Sequence, residues 1–312
     1  MEQRDEQNEI LSQTQAVTSI RAPSISISDA INSATQEQHA QLNRLILDRL
    51  PLALPPKALE PSLYAGGIAA FAQIYFAFEQ VWDDSTAFGG LFEASDESHD
   101  AQVHRWLASL RPEGLARTTR LRADIMHLAA RTGVDLDKRS RALDRLLERI
   151  RRSLRSKPHT LVAYAWVMYM ALFSGGRIIR RVLLRADSDF WLDDKEVAWG
   201  DASASEKGLE FSTACPGFSF LCFDDGHDGT NIKAEFKFRL AKAEGLLSLG
   251  ERADIIAAAN GLFADCVGLV RLLDKDAGAQ ILRSRLSNAA RPAAAFLIVV
   301  CLVWMGLRCR RK

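Results

Sequence analysis

The chain lacks a charge of one sign. Forty lysines and arginines stand against 39 aspartates and glutamates, for a formal net charge of +1. Such a surface has no overall field to gather nucleic acid or an acidic partner, so nucleic acid is not expected as a ligand and any charge effect must be local. Cysteine is scarce as well: five residues, at 215, 222, 266, 301 and 309, odd in number and without a C-x-x-C pair. That excludes a disulfide framework and the usual zinc-ribbon or thioredoxin-type spacing, and points to reduced thiols on the cytosolic side of a membrane. There is no P-loop, no G-x-G-x-x-G after a strand and no G-x-S-x-G elbow, so nucleotide binding and serine hydrolase chemistry have no support. Sustained period-two alternation is missing too, which argues against a sheet. The first two dozen residues carry neither the apolar stretch of a signal peptide nor the acid-poor amphipathic pattern of a transit peptide.

What is present is helical. Hydrophobic residues make up 48% of the sequence and charged ones 25%, enough apolar side chain for a core. The apolar positions return at steps of three and four, which sets the fold class as all-α, a multi-helical bundle. Ser28-Asp29 is expected to cap a helix running to about Leu50, with Ile31, Leu42, Leu45, Ile46 and Leu50 on its inner stripe and Pro51, Pro55 and Pro56 ending it. A second helix, about Leu63–Trp82, is apolar nearly all round and belongs inside. Helices near 99–110, 115–132 and 136–155 follow, the last with Leu146, Leu147, Ile150 and Leu154 turned inward under a solvated arginine face. Lys157-Pro158 introduces an apolar segment, Leu161–Leu184, interrupted at Ser174-Gly175-Gly176. Adjacent glycines each forfeit about 1 kcal/mol of helix propensity, so a kink is expected there. The stretch 215–230 reads as a loop, and helices over about 231–248 and 251–274 complete the bundle.

Pro292–Leu307 is uncharged and lies between Arg291 and the basic tail Arg308, Arg310, Arg311 and Lys312. As a helix it spans about 24 Å, short of a full bilayer core but sufficient where the flanking arginines snorkel or the bilayer is thin. The expected organisation is a disordered arm over 1–27, a helical domain over 28–275, a linker over 276–291, a transmembrane tail anchor over 292–308 and a basic tail over 309–312.

Several residues have chemical potential with ordinary alternatives beside it. His39 shares a stripe with Leu42 and Ile46, where a histidine is more often a core residue than a ligand. Asp124 and His127 stand one helical turn apart as in helical di-iron sites, but no E-x-x-H pair faces them. His99, His104, His159 and His227 lie in polar surroundings and are expected to be exposed. Arg177, Arg180, Arg181 and Arg185 read as a solvated helix end.

Three segments, in order, resemble the heme oxygenase family. Ala34-Thr35, followed by His39, is similar to the family's proximal helix, whose A-T-x-x-x-H histidine binds heme iron; the resemblance makes His39 the axial ligand. Leu161–Gly176 is similar to the distal helix that ends in G-D-x-S-G-G, with Leu161-Val162-Ala163, Ala165, Tyr169 and Ser174-Gly175-Gly176 in register. Gly208–Phe211 (GLEF) and Phe236-Lys237 resemble the family's G-L-x-F stretch and the helix whose basic residues hold the heme propionates, which makes Lys237 the aligned cation and Arg239 and Lys242 alternates. With the aromatic helix Tyr64–Trp82, the resemblance covers roughly residues 28–275.

The family's pattern is broken at defined places. Leu172 stands where the family has the aspartate of G-D-x-S-G-G, Ala171 where it has the preceding glycine, Trp166 and Met168 where it has a distal tyrosine and arginine, and Asn32 and Gln36 where it has basic proximal residues. An apolar Leu172 cannot anchor water, leaving Tyr169 and the Ser174-Gly175-Gly176 backbone as the nearby polar groups. The resemblance implies heme as ligand and substrate, cleavage to biliverdin, carbon monoxide and iron with O2 and electrons from an NADPH-dependent reductase, and a place on the cytosolic face of the endoplasmic reticulum, held to the lipid bilayer by the anchor. Two alternatives stand beside it: a heme carrier or sensor without cleavage activity, and a membrane-tethered helical scaffold that has lost heme. Cys215-Pro216 resembles the Cys-Pro pair of heme-regulatory motifs, though a cysteine before proline is ordinary turn chemistry.

Overall fold

A computed structural model describes residues 25–89, 96–133, 135–192, 216–275 and 277–278. The expected anchor at 292–308, nearly all of the linker, the first 24 residues, Cys215 and the Gly208–Phe211 stretch lie outside them. The described residues are helical and contain no strand. In order they form α1 (Ile27–Ala34), α2 (Gln36–Arg49), α3 (Ser62–Gly89), α4 (His99–Leu110), α5 (Thr118–Thr132), α6 (Leu136–Ser156), α7 (Leu161–Ala171), α8 (Arg177–Leu183), the single turn α9 (Ser188–Trp191), α10 (Thr230–Ala243) and α11 (Leu249–Lys275).

The bundle is built round α3, which packs against α4, α5 and α6. Its sequence is apolar on most faces, and Ile74, Ala77, Phe78 and Trp82 are fully buried. Trp82 reconciles its indole N–H with that burial by donating to the Leu107 carbonyl of α4 at 2.8 Å. On α6, Leu147, Ile150 and Leu154 face the core and Leu146 is packed at its edge, as the periodicity requires. Leu161–Tyr169 of α7 are buried, and this helix meets α3 through an aromatic cluster: Tyr169 lies edge-on to Phe78 at 5.6 Å between ring centres.

The first helix differs from the sequence expectation. Ser26, rather than Ser28-Asp29, is the cap, its Oγ accepting from the Asp29 backbone N–H. The helix then breaks at Thr35, where the backbone leaves helical geometry (φ −114°, ψ 8°). The buried Thr35 hydroxyl donates to the Ile31 carbonyl at 2.8 Å, competing with the backbone ladder, which is a common cause of such bends. Of the expected inner stripe only Ile31 is fully buried; α2 has no buried residue at all.

Two helical stretches, Pro158–Leu183 and Leu249–Lys275, are long and apolar enough to cross a membrane by length and composition. Both turn their apolar side into this bundle, through residues such as Val162 and Tyr169 in one and Ile255, Ala259 and Leu262 in the other.

Candidate functional site

The interruption at Ser174-Gly175-Gly176 is a π-helical turn, Leu172–Gly176, between α7 and α8. The expected kink therefore takes the form of a wider helical turn, a feature often found at functional sites. Just before it, the Met168 carbonyl accepts the Tyr75 hydroxyl of α3 at 2.9 Å, a buried bond that anchors the irregular segment to the core. The glycines differ in surroundings. A Cβ on Gly175 would meet nothing within 4 Å, so its backbone is open to approach, whereas one on Gly176 would meet Leu221 at 3.4 Å. Ser174 is exposed and donates to the Met170 carbonyl at 2.5 Å.

His39 sits on α2 and is exposed, not turned into the core as its stripe suggested. Its imidazole lies edge-on to Phe263 of α11 at 6.0 Å, and among the described residues it has no hydrogen-bond partner. The helix beneath it is held to α11 by Gln38, whose amide donates to Asn260 at 2.8 Å, and by a two-pronged Arg49–Asp274 pair with both bonds at 2.6 Å. The helix is thus held in place while the ring nitrogens make no hydrogen bond among the described residues, and coordination of a metal needs one such free nitrogen.

The segments meet at Trp166. Its indole Nε1 donates to Asn32 Oδ1 at 2.9 Å, joining α7 to α1, and its ring lies against Phe236 of α10 at 6.3 Å with a 30° interplanar angle. Lys237, the next residue, and Lys242 are exposed on α10. Arg239 is otherwise occupied: it pairs with Glu235 at 2.6 Å and donates to the Ser109 and Arg111 carbonyls at 2.9 and 3.2 Å, satisfying groups left over at the end of α4. That use removes it as a free carboxylate anchor.

Tyr169 also departs from its expected role as a proton donor at the site. It is fully buried, and its hydroxyl donates to Glu79 at 2.8 Å. Burial, and then the neighbouring Glu79 carboxylate, push its pKa well above that of an ordinary tyrosine. Glu79 accepts in addition from the backbone N–H groups of Arg117 and Thr118 at 2.8 and 2.9 Å, closing the start of α5. Reading the sequence missed this carboxylate, although a lone acid inside the apolar run Ile68–Trp82 was the available signal. Leu172 and Met168 are buried, while Ala171 is exposed.

Other candidates resolve into structure. Asp124 accepts from the backbone N–H groups of Gly217, Ser219 and Phe220 at 3.1, 2.9 and 2.8 Å, and His127 Nε2 lies 2.9 Å from the Trp191 carbonyl, so neither is free for a metal. Among the described residues no group of three or more His, Cys, Asp or Glu is placed to hold a metal ion. His159 is not exposed as expected; it is largely covered and lies 3.2 Å from Asp254. Arg177 and Arg180 are not a solvated end either. Arg180 grips Asp228 with two bonds of 2.7 Å and Arg177 donates to the Asp228 carbonyl, so both pin the 216–229 loop; Arg181 and Arg185 are exposed.

Comparison with known proteins agrees with this arrangement. The family model described as heme oxygenase matches residues 25–271. The "Heme-binding protein HMX1" of Saccharomyces cerevisiae is 25% identical over 252 residues, covering 76% of this chain and 72% of that protein. Among solved structures, heme oxygenase 2 from Chlamydomonas reinhardtii without heme is similar at a TM-score of 0.56 and 18% identity, covering 79% of this chain and 97% of its own. Heme oxygenase-1 from the cyanobacterium Synechocystis in complex with heme is similar at a TM-score of 0.52 and 18% identity, covering 83% of this chain and 99% of its own. At these identities the structural likeness establishes the all-α fold, and the extent of the family match establishes the membership: the chain belongs to the heme oxygenase family.

Proposed function

We propose that this protein binds heme through His39 and is a heme oxygenase, cleaving heme to biliverdin, carbon monoxide and iron with O2 and reductase-supplied electrons. The observation that carries the binding is the His39 imidazole, exposed and without a hydrogen bond among the described residues, on a helix anchored to α11 in the segment that resembles the family's proximal helix. The residues present fit such a ligand. His39 supplies the iron ligand, Lys237 and Lys242 supply exposed cations for its carboxylates, and Gly175 supplies a stretch of backbone with open space on its Cβ side. Heme, when bound, provides the iron and its reactivity toward O2; the protein's part is to hold, orient and shield it. Titration of the purified chain with hemin is expected to produce a histidine-ligated Soret band that collapses in His39→Ala. An identical spectrum in that variant removes the ligand assignment.

A second reading, a heme carrier or sensor that does not cleave, is favoured by the burial of Leu172 and by Tyr169 being engaged with Glu79, which leave the distal side poor in proton donors. A single-turnover assay with ascorbate separates the two. Loss of the Soret band with biliverdin appearing supports cleavage, and a band that persists supports the second reading. Restoration of cleavage by Leu172→Asp would then identify that position as the cause. The membrane anchor at 292–308 and a place on the cytosolic face of the endoplasmic reticulum, beside a reductase, belong to the same proposal.

A further inference from the structure

The aromatic cluster of α3, α7 and α10 holds ring-borne donors whose acceptors differ in kind. Trp82 spends its indole N–H on the Leu107 carbonyl at 2.8 Å, and Trp166 spends its own on the Asn32 side-chain oxygen at 2.9 Å. Both acceptors are amide oxygens, which take hydrogen bonds but do not act as bases at ordinary pH. Tyr169, fully buried, donates instead to the Glu79 carboxylate at 2.8 Å. Of the four tyrosines in the sequence it is alone in this among the described residues: Tyr75 donates to the Met168 carbonyl, and the buried Tyr64 hydroxyl has no partner. The rings are also close enough to exchange electrons. Trp82 and Tyr169 lie 6.3 Å apart between ring centres, and Phe236 lies 6.3 Å from Tyr169 and 6.3 Å from Trp166. Tryptophan and tyrosine lose a single electron more readily than other aromatic side chains. A phenol that has lost one is a strong acid, and in a dry interior it stays oxidised only if a base is already within proton-transfer reach, roughly 2.6–3.2 Å.

We infer that Tyr169 is a one-electron redox site, with Glu79 as the base that takes its proton. A one-electron oxidant removes an electron from Trp166, which reaches the margin of the bundle beside the exposed Asn32, or from Trp82. The Tyr169 O–H bond then breaks, its proton goes to Glu79 Oε1, its electron fills the tryptophan radical cation, and a neutral tyrosyl radical remains. A one-electron reductant reverses each transfer. The Arg117 and Thr118 backbone N–H groups, at 2.8 and 2.9 Å, hold the carboxylate in position independently of the tyrosine. Because burial and Glu79 keep the resting phenol protonated, the proton leaves only together with the electron. The site goes beyond the heme-binding reading and operates without bound heme.

The test uses the full-length chain in detergent without added hemin, oxidised by flash-generated tris(bipyridine)ruthenium(III). Transient absorption separates tryptophanyl from tyrosyl radicals, and electron paramagnetic resonance of frozen samples identifies the product. In the wild-type chain the tryptophanyl band is expected to decay as a tyrosyl band rises, and the rise to be slower after exchange into D2O. Tyr169→Phe is expected to lose the tyrosyl signal and keep the tryptophanyl one, while Tyr164→Phe behaves as the wild type. Glu79→Gln keeps an acceptor but no base, and is expected to slow tyrosyl formation about 100-fold, the lower end of what a general base contributes. A tyrosyl signal that survives in Tyr169→Phe, or a wild-type chain that yields tryptophanyl radicals alone, overturns the redox site. A rise equally fast in D2O and in ordinary water overturns the transfer to Glu79, and that measurement on the wild-type chain decides the matter even where Glu79→Gln does not fold.

Discussion

Asp225 shows how a single side chain sets up the helix that carries Lys237. Its carboxylate accepts from the backbone N–H groups of His227, Gly229 and Asn231 at 3.1, 2.8 and 3.2 Å, at the start of α10. Partial burial pushes the carboxyl up, but these bonds outweigh it and hold it below the usual carboxylate range. A carboxyl depressed in the folded state stabilises above its unfolded value near pH 4, and that contribution is lost as pH falls through the folded value. Asp225→Asn is therefore expected to cost about 1 kcal/mol at neutral pH, and less in acid, in urea denaturation followed at several pH values. Asp124 has the opposite sign, because its burial dominates over the amide bonds it accepts and raises it. Gly229 lies beside this cap at φ +78°, and a Cβ there would stand 2.7 Å from the Phe223 ring. Gly229→Ala combines left-handed strain with a clash, and is expected to lower unfolding free energy by about 2 kcal/mol or more in the same assay.

At the scale of elements, the π-turn and the break at Thr35 each lie beside a candidate site residue, and a buried contact holds each of them. Tyr75 holds the first, through its buried bond to the Met168 carbonyl. Tyr75→Phe leaves that carbonyl without its donor, and is expected to cost about 1–2 kcal/mol and to speed amide exchange selectively around 168–176. Exchange that rises evenly over the whole bundle would mean that the bond serves general stability and not the turn. The Gly-Gly pair made the irregularity legible in the sequence, since two poor helix formers in an apolar run need a reason. Its π form was not legible, because glycine weakens the α-helical ladder without selecting what replaces it. At the second irregularity, Ala34-Thr35 looked continuous with its neighbours. Only the burial of the Thr35 hydroxyl against Ile31 turns a helix-compatible residue into a break.

On the scale of the whole molecule, α11 organises the face that carries His39: it places Phe263 beside His39, Asn260 beside Gln38 and Asp274 beside Arg49. The Arg49–Asp274 pair is partly exposed, so it is expected to contribute no more than about 1 kcal/mol, and Asp274→Asn should leave the hemin spectrum unchanged. The apolar run at 292–307 bears on where the bundle works. With the full chain expressed in cells, the protein is expected in the carbonate-washed membrane fraction, and a chain ending at 291 in the supernatant. Equal partition of the two would remove the anchor from the proposal.

The amino-acid sequence by itself determined the class of the fold, because a period of three to four in apolar residues can be buried only by packing helices together; its resemblance to the family marked His39, and the adjacent glycines marked the interruption at 174–176. Tertiary structure decided which polar groups remain available. Tyr169 is taken by Glu79, Arg239 by the end of α4 and Asp124 by the 217–220 amides, while His39 keeps both ring nitrogens. The reason is physical: a side chain's hydrogen-bonding capacity is a property of the residue, but its expenditure depends on partners such as Asn32 and Trp166, which stand 134 positions apart and meet only when the chain is folded.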